Sequence, residues 1–514
     1  MSSTTLSADR ADPPPTAAPG ASATVPVRHR AALFAAGALL TLFAAGGRWD
    51  ITLAAWLAVP LLLRFSRTTR PAAGLPLVWL VSVGAALWWF WQLRVPLAPL
   101  PLIGAIGLGT VLAVPYVADR LLAPRLGTAA RLLVFPAALT ATEFVLGSYA
   151  PFGTAFGLLA VTQRDQTALL QVLSVAGPYS IAFLIGGFAT TVGELWERPR
   201  LRPAAGYAAV LGVVLVFGGA RLALVPAAST PTVRIAGINP ARPGPALPDT
   251  GIVALSGLDP QAVRDAYGPV NDRLLADTRD AARAGSRIVF WSENAAHVPA
   301  GDEQAFIARA ADVARAEQIY LDIAVQVVLP AKPYGRDETV LLGPDGQVLW
   351  TYQKAHPIPG LEPYRPGDGR VPVVSTPYGR IANVICYDAD FPAIMHVDAD
   401  IMLVPGGDWP EMGRVHTQMA GLRAVENGYA LVRQDYDGSS QAFDHQGHVL
   451  SQQDTTNPAQ TAPWIVDVPV KGVTTVYRII GDAFAWLCVA LVAAAVVLRV
   501  QRRAVRKATA PATP

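Results

Sequence analysis

The distribution of hydrophobic positions divides the chain into parts with different periodicities. From about residue 31 to 226 nearly every position is apolar, in runs long enough for membrane helices, which need about 20 apolar residues each. From about residue 230 to 475, short apolar runs alternate with amphipathic segments, as in a globular α/β domain. One further apolar segment, at about 480–499, follows it. The pattern therefore predicts a membrane domain, an α/β domain and a late membrane helix.

The apolar part contains seven candidate membrane helices, and the late segment makes eight. Their approximate bounds are 31–47, 51–66, 75–93, 97–117, 130–148, 169–193, 206–226 and 480–499. The N-terminal residues are rich in Ser, Thr, Ala and Pro, a composition typical of disorder. We therefore divide the chain into a disordered tail (1–28), a membrane domain (29–228), an α/β domain (229–475), a C-terminal membrane helix (476–500) and a basic tail (501–514).

Basic residues are concentrated in alternate loops of this helix array. One cluster precedes the first helix, and the others follow the second, fourth, sixth and eighth helices. In that order, the five clusters are Arg28 and Arg30; Arg64, Arg67 and Arg70; Arg120, Arg125 and Arg131; Arg198, Arg200 and Arg202; and Arg499, Arg502, Arg503, Arg506 and Lys507. Short loops rich in Lys and Arg stay cytoplasmic, so seven helices before the α/β domain place all five clusters on one side. The chain is predicted to be a multi-pass plasma-membrane protein. Both termini are expected in the cytoplasm and the α/β domain outside it.

Composition agrees with a membrane location and narrows the function. The chain is 52% hydrophobic and 15% charged, whereas soluble domains carry roughly 25% charged residues. A net charge of +3, with no basic tract interleaved with aromatics, argues against nucleic acid as a partner. The seven histidines show no metal-ligand spacing, and no phosphate-binding glycine-rich loop occurs. We therefore expect neither a metal nor a cofactor.

The α/β domain is predicted to alternate strands with helices. The strands are expected at 233–238, 288–293, 320–328, 338–342, 347–352, 381–386, 401–404, 429–433, 448–451 and 464–468. The helices are expected at 261–284, 302–317 and 413–426. Residues 343–346, Gly-Pro-Asp-Gly, predict a hairpin turn.

Three predicted strands end in residues that can form a nucleophilic site. Glu293 ends one strand, Lys354 follows another, and Cys386 ends a third. The ends of strands in open α/β sheets collect functional groups. A carboxylate can deprotonate the thiol, and an ammonium can stabilise the thiolate and the oxyanion formed by attack on an acyl carbonyl. Taken singly, each residue has an ordinary structural interpretation; the combination favours catalysis.

Two neighbouring features support this site. The backbone N–H of Tyr387 is a natural second donor to the oxyanion, and Glu362, eight residues after Lys354, is placed to hold the lysine or to shuttle a proton. The second cysteine, Cys488, lies in the last apolar segment, so a disulfide with Cys386 is not expected.

The order and local sequence of these residues resemble the nitrilase, or carbon–nitrogen hydrolase, superfamily. Three segments carry the similarity. One ends in Glu293, one runs from Tyr352 to His356 around Lys354, and one surrounds Cys386. The resemblance extends over about residues 230–470. The resemblance implies an α-β-β-α sandwich with a Glu-Lys-Cys triad.

The membrane part narrows the resemblance to the apolipoprotein N-acyltransferases. The residues around Glu143 and 151–153, Pro-Phe-Gly, resemble a loop region of that family. The resemblance implies transfer of an acyl chain from a phospholipid, through a thioester on Cys386, to the N-terminal amine of a lipid-modified lipoprotein. Glu143, a carboxylate in or near a membrane helix, is a candidate substrate contact.

Two departures from the family leave alternatives open. Asp388 stands where these acyltransferases tend to have Glu, and the segment ending in Trp409 replaces an Asn-Asp sequence. We count Asp388 as a supporting residue and Trp409 as a candidate substrate contact. The first alternative is a membrane-tethered amidase that passes the thioester to water. The others are a non-enzymatic binding protein on a degenerate nitrilase fold and a transporter. The intact Glu-Lys-Cys set argues against the binding protein, and the scarcity of polar residues in the helices argues against the transporter.

Overall fold

The computed structural model describes residues 25–95, 99–225, 231–241, 251–457 and 462–508. Residues 1–24 of the expected N-terminal tail lie outside this range, and the first helix begins at Val27. The expected basic tail is described only as far as residue 508, where it continues the last helix.

Apolar helices form the first half of the molecule. They are α1 (Val27–Leu42), α2 (Thr52–Thr68), α3 (Pro71–Gln92), α4 (Pro99–Leu112), α5 (Val114–Leu122), α6 (Thr128–Tyr149), α7 (Thr167–Leu170), α8 (Leu173–Ala176), α9 (Ser180–Glu197) and α10 (Leu201–Leu224). Within the part of the chain that the structure describes, five segments are long and apolar enough to cross a membrane, namely Pro71–Gln92, Pro101–Leu122, Thr128–Tyr149, Leu201–Leu224 and Ala483–Arg502. A sixth arises if the helix pair 167–176 and 180–197, bent by 113°, is one span.

The first helical hairpin is shorter than the other candidate spans. Helix α1 has 16 residues and α2 has 17, and at a rise of about 1.5 Å per residue each measures about 24–26 Å. The hydrocarbon core of a bilayer is about 30 Å thick. The expectation of eight spans, which includes this pair, therefore stays a prediction.

The second half of the chain is an α/β domain followed by a long helix. Its strands are β1 (Thr232–Ile238), β2 (Ile288–Trp291), β3 (Ala296–Pro299), β4 (Tyr320–Val328), β5 (Gly335–Leu342), β6 (Val348–Gln353), β7 (Val373–Thr376), β8 (Gly379–Asn383), β9 (Ile401–Gly407), β10 (Ala430–Tyr436), β11 (Ser439–Phe443), β12 (Val449–Asp454) and β13 (Trp464–Pro469). Its helices are α11 (Ile252–Ser256), α12 (Pro260–Arg283), α13 (Glu303–Glu317), α14 (Pro392–Met395), α15 (Gly413–Asn427), α16 (Val476–Ile480) and α17 (Ala483–Ala508).

The strands form two packed sheets with helices on their outer faces. The orders are β13-β1-β2-β4-β5-β6, with β3 beside β4, and β12-β11-β10-β9-β8-β7. Phe290 and Leu341 from the first sheet share a core with Leu403 and Leu431 from the second. Helices α12 and α13 pack on the first sheet, and α15 packs on β10 and β11. The domain is therefore an α-β-β-α sandwich.

Parallel pairing places the carboxyl ends of several strands together. Strands β1, β2 and β4 are parallel neighbours in the first sheet, and β8, β9 and β10 are parallel neighbours in the second. Because parallel strands end at the same edge, the residues that follow them meet there.

Three strands, β3, β7 and β11, were not predicted. The clearest reason is seen in β11, whose sequence Ser439-Ser-Gln-Ala-Phe443 is largely polar although every residue is buried. It lies between β10 and β12, and its Gln441 Nε2 donates to Ser439 Oγ at 3.0 Å. Strand pairing on both sides and hydrogen bonds such as this one accommodate polar residues in the core, so the strand lacks the apolar alternation that marks a strand in sequence.

Candidate active site

Cys386 begins a short 3-10 turn, Cys386–Asp390, that follows β8. The prediction that the strand itself extends to Cys386 is wrong, because β8 ends at Asn383 and Cys386 has a positive φ of 47°. Such a conformation is sterically unfavourable for a residue with a β-carbon, costs on the order of 1–3 kcal/mol and is concentrated at functional sites. The residue is 1% exposed, and its Sγ lies 3.9 Å from the carbonyl oxygen of Gly407. The turn therefore holds the thiol against the end of β9.

Three carboxyl groups enclose the ammonium of Lys354, the residue after β6. Its Nζ donates to Glu293 Oε1 at 2.6 Å and to Glu362 Oε1 at 2.8 Å, and lies 3.8 Å from Asp337 Oδ2. Glu293 follows β2 and Asp337 lies in β5, so the first sheet supplies most of the group. We call Lys354, Glu293, Asp337 and Glu362 the lysine cluster. The structure thus brings together three of the residues singled out in the sequence.

Burial and mutual charge set the protonation of the lysine cluster. Burial disfavours the ammonium of Lys354, but Glu293 and Glu362 outweigh it and hold the pKa of Lys354 well above its usual range. Burial and the Glu293 carboxylate raise the pKa of Asp337 well above its usual range. The cluster therefore favours the ammonium form of Lys354 and the neutral acid form of Asp337.

The Cys386 sulfur rests as a neutral thiol. Burial, followed by the Glu293 carboxylate, raises the pKa of Cys386 well above its usual range, against the opposing effects of Arg433 and Lys354. Because the thiolate is the nucleophilic form, a base must remove the proton when the sulfur attacks.

A second buried cation, Arg433 in β10, contacts Cys386 directly. Its Nη2 lies 3.5 Å from Sγ, and its Nη1 donates to the Cys386 carbonyl oxygen at 3.3 Å. Nη2 also pairs with Asp408 Oδ2 at 2.9 Å, and Asp408 Oδ1 lies 2.8 Å from His416 Nδ1. His416 Nε2 in turn lies 2.7 Å from Asp390 Oδ2. We call Arg433, Asp408, His416 and Asp390 the arginine cluster.

The arginine cluster contains two cations held by carboxylates. All four side chains are at most 3% exposed. Burial opposes protonation of His416, but Asp408 and Asp390 outweigh it and raise its pKa to about 10. Burial also opposes ionisation of Asp408, yet His416 and Arg433 hold its pKa well below its usual range. Both Arg433 and His416 are therefore charged at neutral pH.

Two glycines at the end of β9 let both clusters approach the thiol. A β-carbon on Gly406 would lie 2.9 Å from the Arg433 guanidinium, and one on Gly407 would lie 3.0 Å from Glu293 Oε2. Both distances are shorter than ordinary van der Waals contact. Residues without a β-carbon at these two positions therefore give the site its close packing.

Each cluster contains a set of side chains of the kinds that bind metals. In each set the possible ligand atoms lie within 4.8 Å of one another. The first set is Cys386, Asp408 and His416, and the second is Glu293, Asp337 and Glu362. A protein cation already lies among the atoms of each set. Arg433 contacts Sγ and Asp408, and Lys354 contacts two of the three carboxylates. These cations supply the positive charge that a metal would bring.

Asp388 anchors the nucleophile turn. Its carboxylate accepts hydrogen bonds from the Tyr352 hydroxyl at 2.8 Å and from the His356 backbone N–H at 2.8 Å. These bonds tie the turn to the segment that carries the lysine. Tyr387 extends the other way, and its hydroxyl donates to the Pro151 carbonyl oxygen at 3.1 Å. The oxyanion role of the Tyr387 N–H stays a prediction.

The helical half packs directly on the nucleophile turn. The backbone N–H and the hydroxyl of Thr154 both donate to the Asp390 carbonyl oxygen, at 2.7 Å and 2.8 Å. Trp409 crosses the same boundary, because its Nε1 donates to the Leu93 carbonyl oxygen at 2.6 Å. The contact explains the position of Trp409; its role in binding substrate stays a prediction.

Glu143 lies apart from the two clusters, in helix α6. Its Oε1 accepts a hydrogen bond from the Leu159 backbone N–H at 3.0 Å. It lines a cavity of about 100 Å³ among the helices, where Leu62, Leu139 and Phe156 are neighbours. The structure therefore does not place Glu143 beside Cys386, and a substrate-binding role for it also stays a prediction.

Five charged residues of the site were missed in the sequence, namely Asp337, Asp390, Asp408, His416 and Arg433. One recognisable indication was Arg433, which directly follows the apolar run Ala430-Leu-Val in a predicted strand. Arginine is almost never fully buried unless it is paired, so its place in a core strand indicated a buried charge network. The partners of Arg433 come from separate elements, and no spacing pattern connects them.

Two family models match this chain side by side. One, described as the apolipoprotein N-acyltransferase N-terminal domain, matches residues 36–191, and the other, described as carbon-nitrogen hydrolase, matches residues 256–462. Together they include most of the helical half and most of the sandwich.

Similar proteins include two apolipoprotein N-acyltransferases. The protein from Geobacter metallireducens is 26% identical over 399 residues, which are 69% of this chain and 71% of the relative. The protein from Rhodopseudomonas palustris is 26% identical over 416 residues, 72% of this chain and 74% of the relative. Among solved structures, an amidase from Nesterenkonia sp. aligns at 23% identity with a TM-score of 0.37, covering 49% of this chain and 92% of that chain.

Proposed function

Because the chain belongs to the apolipoprotein N-acyltransferase family of the carbon–nitrogen hydrolase superfamily, we propose that it N-acylates lipoproteins by a covalent route through Cys386. The acyl donor is a membrane phospholipid, and the acceptor is the N-terminal amine of a diacylglyceryl-cysteine lipoprotein. Glu293 is the base, Lys354 the electrostatic partner and Cys386 the nucleophile.

The first half-reaction acylates the enzyme. The Glu293 carboxylate takes the proton of the Cys386 thiol, and the sulfur forms a bond to the carbonyl carbon of a phospholipid ester. Lys354 and backbone N–H groups stabilise the negative charge that develops on the carbonyl oxygen. The carbon–oxygen bond of the ester then breaks, and the lysophospholipid leaves with the proton from Glu293. A thioester remains on Cys386.

The second half-reaction transfers the acyl chain to the lipoprotein. The neutral amine attacks the thioester carbon, Glu293 takes a proton from the nitrogen, and the carbon–sulfur bond breaks. The product is an amide, and the sulfur regains its proton from Glu293. Glu362 supports both steps because it holds Lys354 from a second direction, at 2.8 Å.

The observation that carries the proposal is the contact between the nucleophile turn and the helical half. Tyr387 donates to Pro151, and Thr154 donates to Asp390, so the residues following Cys386 pack on a loop between apolar helices. Tyr387 and Phe391 belong to the same apolar core as those helices. A thiol at this junction is well placed to meet an ester and an amine that are both held in a membrane.

The proposal is tested by trapping the acyl-enzyme. The purified full-length protein is incubated with a labelled phospholipid and examined by intact mass. The wild type and a Cys488→Ala control should each gain one acyl chain, whereas Cys386→Ala should gain none. Addition of a diacylglyceryl-cysteine peptide should discharge the acyl chain onto the peptide amine.

Other outcomes would point to the amidase alternative. If the wild type is never acylated by phospholipid but hydrolyses short amides, water is the acceptor and the transferase proposal is wrong. If the thioester forms and the peptide does not discharge it, the first half-reaction with a phospholipid donor is supported. The lipoprotein amine is then not the acceptor.

We also propose that residues 29–228 and 476–500 form the membrane part, with eight spans, and that residues 229–475 lie outside the cytoplasm. Five segments of the described chain, or six with the bent pair, have the length and apolarity of a membrane span and support the membrane part. The shorter helices α1 and α2 supply the other two of the eight proposed spans. In cells, a membrane-impermeant thiol reagent should label a cysteine placed at exposed Arg370 and should not label one placed at exposed Arg200. Labelling at both positions, or only at Arg200, would contradict the orientation.

A further inference from the structure

Two buried cations are associated with Cys386, and they contact different groups. The ammonium of Lys354 donates to Glu293 and Glu362 at distances below 3 Å. The guanidinium of Arg433 lies 3.5 Å from the sulfur itself and also binds the carbonyl oxygen of Cys386. We propose that Arg433 is a further catalytic residue, the cation that stabilises the Cys386 thiolate, and that Asp408 and His416 position its guanidinium against the sulfur.

The guanidinium is suited to this task by its anchoring. Its planar group presents several N–H donors in a fixed arrangement. One nitrogen, Nη1, binds the backbone of Cys386, while the other, Nη2, lies between the sulfur and Asp408 Oδ2. The side chain is fully buried, and Gly406 leaves room for it. It therefore cannot turn away from the sulfur without losing three contacts.

His416 keeps the charge of Arg433 available to the sulfur. A single Asp408 carboxylate paired with Arg433 would largely cancel its charge. Here Asp408 divides its two oxygens between Arg433 and the His416 imidazolium, and His416 has its own second partner in Asp390. Asp408 is thus shared by both cations, and Arg433 Nη2 keeps its contact with the sulfur at 3.5 Å.

Charged groups from several elements surround Cys386. Its pKa is influenced by Glu293 after β2, Lys354 after β6, Asp408 after β9 and Arg433 in β10. His416 in α15 also lies near the sulfur, and Asp435 Oδ2 lies 4.0 Å from Arg433 Nε. Of the two cations, Arg433 lowers the pKa of the thiol more than Lys354 does. Glu293 and Asp408 act in the opposite direction. The sulfur is thus poised between a base that accepts its proton and a cation that stabilises the charge left behind.

Arg433 acts at the two moments when the sulfur is negative. When Glu293 removes the thiol proton, the sulfur keeps the electron pair and accepts hydrogen bonding from Nη2. When the acyl chain leaves, the carbon–sulfur bond breaks, the pair returns to sulfur, and the same contact stabilises the leaving thiolate. No further reactant is needed for either step.

The test measures the reactivity of the thiol in the full-length protein, in a Cys488→Ala background that leaves Cys386 as the only cysteine. The rate of alkylation by iodoacetamide is followed by intact mass from about pH 6 to about pH 10. For Arg433→Met we expect an upward displacement of the profile by at least about one pH unit, which lowers the rate at neutral pH at least about tenfold. Arg433→Lys, which keeps a charge, should lie between Arg433→Met and the parent.

Arg423 offers a matched control. It is also buried, in α15, and pairs with Glu426 at 2.8 Å without a described contact to Cys386. Arg423→Met and Arg423→Lys should keep the parent pH profile within about twofold in rate. Thermal unfolding of each variant identifies any that has lost its fold, and the Arg433→Lys and Arg423→Lys pair gives the comparison if the Met variants do not fold.

The proposal is overturned if folded Arg433 variants keep the parent profile, if the Arg423 variants show the same displacement, or if the parent thiol is not alkylated up to about pH 10. It rests on Cys386 being the nucleophile of the proposed function. The alkylation assay uses no acyl acceptor. If the lipoprotein does not accept an acyl chain, the proposed function is wrong, and the alkylation result for Arg433 is unaffected.

Discussion

The lysine cluster and the arginine cluster are both buried beside Cys386, yet their charge balance differs. The lysine cluster has three carboxyl groups around one cation, and burial and Glu293 raise the pKa of Asp337 well above its usual range. In the arginine cluster two cations, Arg433 and His416, are balanced by two carboxylates, Asp408 and Asp390. An excess of carboxylate provides a base, and a cation in contact with the sulfur, here Arg433, stabilises its anion. The two halves of thiol activation are therefore carried by different clusters.

The two clusters also come from different sheets. Glu293, Asp337 and Lys354 belong to β2, β5 and the end of β6 in the first sheet. Asp408 and Arg433 belong to the end of β9 and to β10 in the second. Cys386, after β8, lies where both can reach it. The sandwich is thus more than a scaffold, because packing its sheets together assembles the base and the stabilising cation around one sulfur.

The largest test of this division is removal of the base. Glu293→Gln keeps the size of the side chain but cannot accept the thiol proton, so the rate of acyl-enzyme formation should fall by roughly 10²–10⁴-fold. Glu362→Gln is the matched control, since it also removes a carboxylate that holds Lys354. It should lower the rate by less than about tenfold. Equal losses in single-turnover measurements would show that the two carboxylates act as one unit and that Glu293 has no special role.

The second test concerns the charge of His416. Its pKa rises from an ordinary 6.5 to about 10 in the folded protein. The stability it contributes is complete below about pH 6.5 and is lost as the pH rises toward about 10. The unfolding temperature of His416→Gln should therefore fall furthest below that of the wild type near pH 6, by more than about 5 °C, and least near pH 10.

His297 provides a control of opposite sign. Burial lowers its pKa to about 4, so its contribution to stability is lost as the pH falls from about 6.5. Relative to the wild type, His297→Gln should become less destabilising as the solution is made more acidic, whereas His416→Gln becomes more so. Parallel pH dependence of the two variants in thermal unfolding would contradict the charged state assigned to His416.

The smallest expected effect is that of Asp337. Burial and Glu293 raise the pKa of Asp337 and favour its neutral acid, which Asp337→Asn replaces by a neutral group of the same shape. We expect the transfer rate to change by less than about threefold. A loss comparable to that of Glu293→Gln would mean that Asp337 is ionised and that the lysine cluster carries more negative charge than its pKa implies.

Much of the architecture could be predicted from local pattern. The apolar runs indicated the helices, and alternation indicated ten strands of the sandwich, because hydrophobic periodicity reflects burial directly. Strands such as β11 were not predicted, since their sequences are polar and their place in the core depends on pairing with neighbouring strands. The end of β8 was also predicted wrongly. The run from Ile381 to Cys386 is apolar except for Asn383, and no glycine in it indicates the positive φ of Cys386.

The sequence by itself determined which residues are chemically able to react. Glu293, Lys354 and Cys386 were recognisable because each follows an apolar strand and because their order resembles a known family. Tertiary structure decided the charge environment of the sulfur. Asp337, Asp408, His416 and Arg433 lie on separate elements, and only the packing of two sheets and α15 brings them within a few ångströms. Charge interactions in a buried site depend on distance and desolvation, and neither quantity is written in the order of residues along the chain.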